Sequence, residues 1–337
     1  MKIAIVSKLW EATSPDSTGG TGAAVGYLVK ELRHRGHNVT LFATSDSMAD
    51  GELVSSVSSH NFRLQYSETQ EFFNIASAFD RQRSFDIIHC HNEFKSLFFG
   101  AASNTPSLHT VRYGEFFSDE LKVFNSFKHL NFVGISQAVR DMLPDLNWQG
   151  VVHNGLDLKR FPYLEQKEDY LLFLARLSPQ KGPDAAIRIA KKLGKRLVLA
   201  GKRSERDSEY LHKMVDPYID GDRIKYLGEV DFSAKTELLS RAACLLHPII
   251  CPEAFGMTII EAMACGTPVV SYRPGAIGEI IIDNKTGFIV DSEEEMAGAI
   301  GRLSEIKSVD CRQQVENNFT VARMADGYEK IYQSIIN

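Results

Sequence analysis

Short apolar runs alternate with segments of helical period from one end of the chain to the other. In the first half, runs that predict strands fall at Lys2–Val6, Val39–Phe42, Asp86–His89, Ser107–His109 and Phe132–Ile135. Between the first two, Val25, Leu28, Val29 and Leu32 recur at the spacing of an amphipathic helix, with Gly36 placed to end it. The second half repeats the rhythm, with strands predicted at Tyr170–Leu174, Arg196–Ala200, Ile224–Leu227, Cys244–His247, Val269–Ser271 and Gly287–Val290. Helices are predicted near 183–193, 233–242, 256–264 and 292–305. Strands alternating with helices imply parallel sheets covered on both faces, and two such series imply two doubly wound domains. Asn154-Gly155 and Phe161-Pro162 interrupt the pattern within 150–168 and mark the join.

Composition narrows the function classes. The 337 residues include 38 Lys+Arg against 43 Asp+Glu, and neither half is basic: residues 1–150 carry a net charge of −3 and residues 151–337 a net of −2. A basic footprint for nucleic acid or anionic lipid is absent from these totals. No apolar run reaches the roughly 18 residues of a membrane span, and the N-terminal run is too short for a signal peptide. Five Cys without a C-x-x-C pair fit reduced thiols in a cytoplasmic protein better than a disulfide framework.

In doubly wound sheets ligands bind beyond the C-terminal strand ends, so the residues that follow strands carry the candidate chemistry. Ser17-Thr18-Gly19-Gly20-Thr21-Gly22 precedes the first helix; its glycines let backbone N–H groups approach an anion. The dinucleotide fingerprint fails here, because Val25 stands where a third glycine is required. Arg176 and Lys181-Gly182 flank a strand-to-helix turn, where a planar fork and a point charge suit a diphosphate. In Cys251–Gly266, Pro252 keeps Glu253 in a loop and the helix starts near Gly256, placing Glu261 about one turn inside it. The loop carboxylate suits a polyol, the N–H groups of Phe255 to Thr258 suit a phosphate, and Glu261 suits a ribose diol. Plain complementation of the helix dipole is the competing reading. Asp220-Gly221-Asp222 precedes a strand and reads as a turn rather than a metal pair. His89-Cys90-His91 finds no further ligands at useful spacing, so no metal is expected.

These motifs, in this order, resemble glycosyltransferase family 4, retaining enzymes of the GT-B fold, in which two Rossmann-like doubly wound parallel-sheet domains face a central cleft. The resemblance rests on Gly19-Gly20, His109 as the end of a strand, Ser136, Asn154-Gly155-Leu156-Asp157, Arg176…Lys181-Gly182 and the E-x7-E pair Glu253…Glu261 around Phe255-Gly256. Gly275…Glu279 and a last helix in Phe319-Thr320-Val321…Tyr328 complete it. It implies an acceptor-side domain over 1–152, a donor domain over 153–318 and a helix over 319–337 crossing back to the first.

It further implies that Arg176 and Lys181 bind the donor diphosphate and that Glu261 holds the ribose. Glu253 and the amides of Phe255, Gly256, Met257 and Thr258 would meet sugar and phosphate. Gly19-Gly20 would reach the phosphate, with Gly20 presenting its amide, Gly228-Glu229-Val230 would read the base, and His109 would lie near the anomeric carbon. The expected activity is hexosyl transfer (EC 2.4) from a nucleotide-diphosphate sugar to an acceptor hydroxyl, without metal or cofactor. The alternatives are a sugar-nucleotide epimerase or hydrolase using His109 and Glu253 as acid and base, or a sensor that has lost the chemistry. The chain departs from the family pattern at Met48–Gln70 and in Thr110 after His109, both on the acceptor side. A soluble acceptor is favoured over a lipid-linked one; peripheral membrane contact and oligomeric state stay open.

Overall fold

The computed structural model describes residues 1–48, 51–57 and 67–337; parts of the Met48–Gln70 segment therefore lie outside the described residues. The chain divides into two compact units, Met1–Leu156 with Val321–Asn337, and Asp157–Thr320.

In the first unit seven parallel strands form one sheet: β1 (Lys2–Val6), β2 (Asn38–Phe42), β3 (Leu53–Val54), β4 (Ile87–Cys90), β5 (Ser107–Val111), β6 (Asn131–Gly134) and β7 (Trp148–Val151), in the order β3-β2-β1-β4-β5-β6-β7. The direction of strand addition reverses between β1 and β4, the switch point of a doubly wound sheet. Strands covered on both faces read as continuous apolar runs, and β4 and β5 are buried throughout. The helix Glu68–Asp80 packs Ile75, Ala78 and Phe79 against Ala4, Val6, Phe42 and Ile88. The helix Gly20–His34 buries Val25, Leu28, Val29 and Leu32, as its period predicts. Strand β5 runs two residues beyond its predicted end, and β3 and β7 were not predicted. β7 reads Trp-Gln-Gly-Val, and a register shift opposite Phe132/Val133 leaves Gln149 as the extra residue, next to Gly150, whose φ is +150°.

The helix Val321–Ile336 belongs to this first unit. Met324, Ala325, Tyr328, Ile331 and Tyr332 form its buried stripe. Arg35 binds Asp326 and Glu329, and His37 binds Glu329 at 2.6 Å, fastening its outer face. Val321 N donates to Leu156 O at 3.0 Å, so the points where the chain leaves and re-enters this unit are hydrogen-bonded neighbours.

The second unit is a six-stranded parallel sheet of β8 (Tyr170–Leu174), β9 (Arg196–Ala200), β10 (Ile224–Tyr226), β11 (Cys244–His247), β12 (Val269–Tyr272) and β13 (Gly287–Val290), in the order β10-β9-β8-β11-β12-β13. Its helices include Pro183–Leu193, Phe232–Arg241, Met257–Ala264 and Glu293–Gly301. The segment predicted as one helix over 292–305 stops at Gly301 and continues as a short 3-10 turn, Leu303–Glu305, since glycine is a poor helix former. Among the described residues no helix is long and apolar enough to cross a membrane.

Candidate active site

Strands β8 and β11 are neighbours in the second sheet, and the loops that follow them meet. After β8 the chain makes a 3-10 turn, Pro179–Lys181, and enters the helix Pro183–Leu193 through Gly182 at φ +71°. A Cβ on Gly182 would overlap the carbonyl oxygen of Pro248 in the facing loop, so only glycine permits this approach. Ile250 N donates to Gln180 O at 3.0 Å, locking the two loops. The result places Lys181 Nζ 2.8 Å from Glu253 Oε2, across 72 residues of sequence.

Glu253 is fixed from a third loop as well. Its N donates to Pro274 O at 3.3 Å and its O accepts from Ala276 N at 2.9 Å. Gly275, at φ +73°, lies so close that a Cβ there would overlap the backbone of Glu253. The His247 imidazole stands 3.5 Å from the same carboxylate. Burial pushes the Glu253 carboxyl up, yet His247 and Lys181 outweigh burial and hold it at about 2. Glu253 is therefore a carboxylate at neutral pH. Behind it the helix Met257–Ala264 begins at Gly256, φ +99°, with no side-chain cap and no acid in its first turn. Its N-terminal amides, those of the half-buried Met257 and Thr258 among them, present partial positive charge. The Phe255 side chain packs edge-on against Phe319, centroids 5.9 Å apart, so only its backbone remains for a ligand.

Arg176 is exposed and makes no hydrogen bond or ion pair among the described residues. Glu261, buried in its helix, accepts from Lys235 Nζ at 2.6 Å; the helix Phe232–Arg241 supplies that lysine. After β10, Gly228 (φ +77°) accepts from Gly201 N at 2.8 Å, leaving Glu229 exposed and Val230 half-buried. The second unit thus gathers Arg176, Lys181, Glu253, the 255–258 amides, Glu261 and Glu229-Val230 at the C-terminal ends of its strands. Asp220 Oδ1 accepts from the N–H of Asp222 and of Ile224, both at 2.9 Å, as a turn residue does.

In the first unit two expectations change. The anion position predicted at Gly19-Gly20 is occupied by the protein itself: Gly22 N donates to Glu11 Oε1 at 3.0 Å, and the carboxylate lies against Gly19. His109 does not end its strand. It is the third residue of β5, almost wholly buried, with Nδ1 2.9 Å from Ser96 Oγ and Nε2 2.9 Å from Ser107 Oγ. Burial lowers it to about 3, so it is a neutral histidine inside the strand with both nitrogens engaged, rather than an imidazole at the strand end. The residue that leaves β5 is Arg112. Sequence reasoning also passed over His247, Lys235 and Glu11. Their signal was positional, since His247 ends a strand and Lys235 faces Glu261 from a neighbouring helix.

The comparisons agree with this architecture. The family model described as Glycosyltransferase Family 4 matches residues 18–160, and the one described as Glycosyl transferases group 1 matches residues 157–320. An uncharacterized glycosyltransferase of Methanocaldococcus jannaschii is 25% identical over 98% of this chain and 94% of its own. Sucrose-phosphate synthase from Thermosynechococcus elongatus superposes with a TM-score of 0.81 at 18% identity, over 99% of both chains. Anabaena HepE, solved with UDP-glucose, gives 0.78 at 18% identity over 99% of this chain and 100% of that one. With two GT-B-type Rossmann-like units and both family models matched in sequence order, the chain belongs to glycosyltransferase family 4 and is an enzyme of the glycosyltransferase class.

Proposed function

We propose that this enzyme moves a hexosyl group from a nucleotide-diphosphate sugar to an acceptor hydroxyl with retention of anomeric configuration, and that it needs no metal. The observation that carries the reading is the convergence of Lys181, Glu253 and the uncapped Met257–Ala264 helix at adjacent strand ends of the second unit. Cleavage of the sugar–phosphate bond leaves negative charge on the departing diphosphate, and stabilising that charge is the main electrostatic demand. Lys181 spends one N–H on Glu253 and keeps two; Arg176 keeps its whole fork; the helix amides add fixed dipoles. These cations serve where a divalent ion would otherwise act. Glu253, ionised and held by Lys181, accepts hydrogen bonds from donor-sugar hydroxyls. Glu261 and Lys235 face the ribose diol, and Gly228-Glu229-Val230 the base. HepE, a neighbour in fold, binds UDP-glucose, which supports a nucleotide-sugar donor here. The hydrolase or epimerase alternative needs His109 as its second acid/base group, and His109 is sealed between Ser96 and Ser107.

The test is product analysis by NMR after incubation with nucleotide-sugar panels and acceptor mixtures in excess EDTA. Acceptor-dependent glycoside with the donor's anomeric configuration is expected. Free sugar or epimerised donor formed without acceptor, an inverted product, or activity restored only by divalent ion each overturns the corresponding part.

A further inference from the structure

The loops that leave β1, β4 and β5 sit beside the switch point of the first sheet, and their charges have no part in the donor chemistry above. Lys8 after β1 pairs with Glu93 after β4. Glu93 does so from a left-handed backbone, φ +61°, a strain of about 1 kcal/mol or more that concentrates at functional positions. Lys95 binds the buried Glu71 at 2.8 Å. One cation is left over. Arg112 donates from Nε to His91 Nδ1 at 3.2 Å and from Nη1 to Asn154 Oδ1 at 2.9 Å, both neutral acceptors. Its Nη2 is out of contact with solvent and has no acceptor among the described residues. Because His91 accepts at Nδ1, its proton sits on Nε2, and that atom too is buried without a partner among the described residues.

The structural arginines of this chain are satisfied differently. Arg312 reaches Glu316 and three backbone carbonyls, those of Phe161, Ala264 and Leu158. Arg35 binds three carboxylates and the Ala322 carbonyl. Among the described residues Arg112 alone of these three has neither a carboxylate nor a backbone carbonyl. Burial first, then the neighbouring His89, Arg112 and Lys8, holds His91 well below its ordinary range, so it meets Arg112 as a neutral imidazole and offers it no negative charge. A guanidinium in such a place lacks its anion.

We infer that Arg112, held in place by His91 and Asn154, is an oxyanion-binding residue of the first unit, and that a phosphate or carboxylate group of a substrate completes it. Nε has spent its one N–H and Nη1 one of its two, so the second N–H of Nη1 and both of Nη2 are left, an end-on pair that suits a bidentate phosphate or carboxylate. Arg112 keeps part of its surface open, and it follows directly on the C-terminal end of β5, where ligands of doubly wound sheets bind. The inference rests on the transferase reading only for which molecule carries the anion, acceptor or donor.

The experiment titrates the full chain with inorganic phosphate, with and without saturating UDP, and with UDP alone, in wild type, R112Q and R112K. In R112Q the anion affinity should fall by about tenfold or more, the scale of one charge-assisted hydrogen bond, and R112K should lie between R112Q and wild type. Loss of the phosphate that binds beside UDP assigns the anion to the acceptor; loss of UDP affinity assigns it to the donor diphosphate. Phosphate and UDP both binding R112Q as they bind wild type overturns the inference, as does wild type binding neither. If R112Q does not fold, R112K carries the comparison. Wild type that binds phosphate through Arg112 but no nucleotide would refute the transferase reading and leave this one standing.

Discussion

Replacing Lys181 by Met keeps most of the side chain and removes one charge, so its effects can be worked from Glu253. Holding that carboxyl at about 2 instead of its ordinary 4.5 contributes about 3 kcal/mol to folding at neutral pH, at roughly 1.4 kcal/mol per pH unit. The folded value is the depressed one, so this contribution is complete above about pH 4.5 and is lost as the pH falls towards 2. Two groups outweigh the burial penalty, His247 at 3.5 Å and Lys181 at 2.8 Å. A half share for Lys181 is about 1.5 kcal/mol, or a melting point lower by roughly 3–6 °C for a unit of this size. The same substitution removes a donor to the diphosphate, worth about 1.5–3 kcal/mol, and should weaken UDP binding by roughly ten- to a hundredfold. Calorimetry of K181M, E253Q and the double variant at pH 7 separates the two roles. The melting-point loss caused by K181M should shrink in the E253Q background, whereas the UDP loss should persist. An unchanged UDP affinity in K181M refutes the diphosphate assignment. A stability loss from K181M that is identical with and without E253Q refutes the pairing argument.

Three further outcomes follow from the same geometry. Gly275→Ala forces a left-handed alanine whose Cβ overlaps the Glu253 backbone, and should cost about 2 kcal/mol or more in thermal unfolding and abolish UDP binding. His109→Gln should lower stability by about 1–3 kcal/mol, because Ser96 and Ser107 lose their imidazole, while the pH profile of kcat keeps its shape; a vanished limb of that profile would restore His109 as a catalyst. Glu11→Ala frees the Gly22 amide, and donor affinity measured by titration should rise if that helix start receives a phosphate; an unchanged or lower affinity removes the Gly19-Gly20 loop from the donor site.

The second sheet was almost fully legible in the sequence, because five-residue runs such as Tyr170–Leu174, buried on both faces, need no alternation to stand out. The misses were elements whose stabilisation is not local. Strand β7 reads as a turn until β6 supplies its partners, and the Glu68–Asp80 helix shows its apolar face only once Ile75 and Phe79 lie on the sheet. The candidate site divides the same way. Lys181, Glu253 and Glu261 were visible because each follows or opens a strong element. Their partners were hidden, since Lys235 meets Glu261 across 26 residues and Glu11 meets Gly22 through a turn-rich loop. His109 was misplaced by the undercount of β5. Two extra strand residues move the end of the strand from His109 to Val111, so that Arg112 rather than Thr110 is the first residue beyond it, and change which chemistry the strand end offers.

The Val321–Ile336 helix also constrains how the molecule is made. Tyr332 hydrogen-bonds His89 at 2.7 Å, and Tyr328 and Tyr332, both fully buried, finish the core that β4 begins. On the ribosome, residues Asp157–Thr320 can close their sheet as one continuous stretch. The first unit, although synthesised first, must wait for some 160 further residues before its last helix arrives. During that interval His89 and the apolar floor beneath Tyr328 stand uncovered, so nascent chains truncated within the second unit should be the ones that chaperones retain.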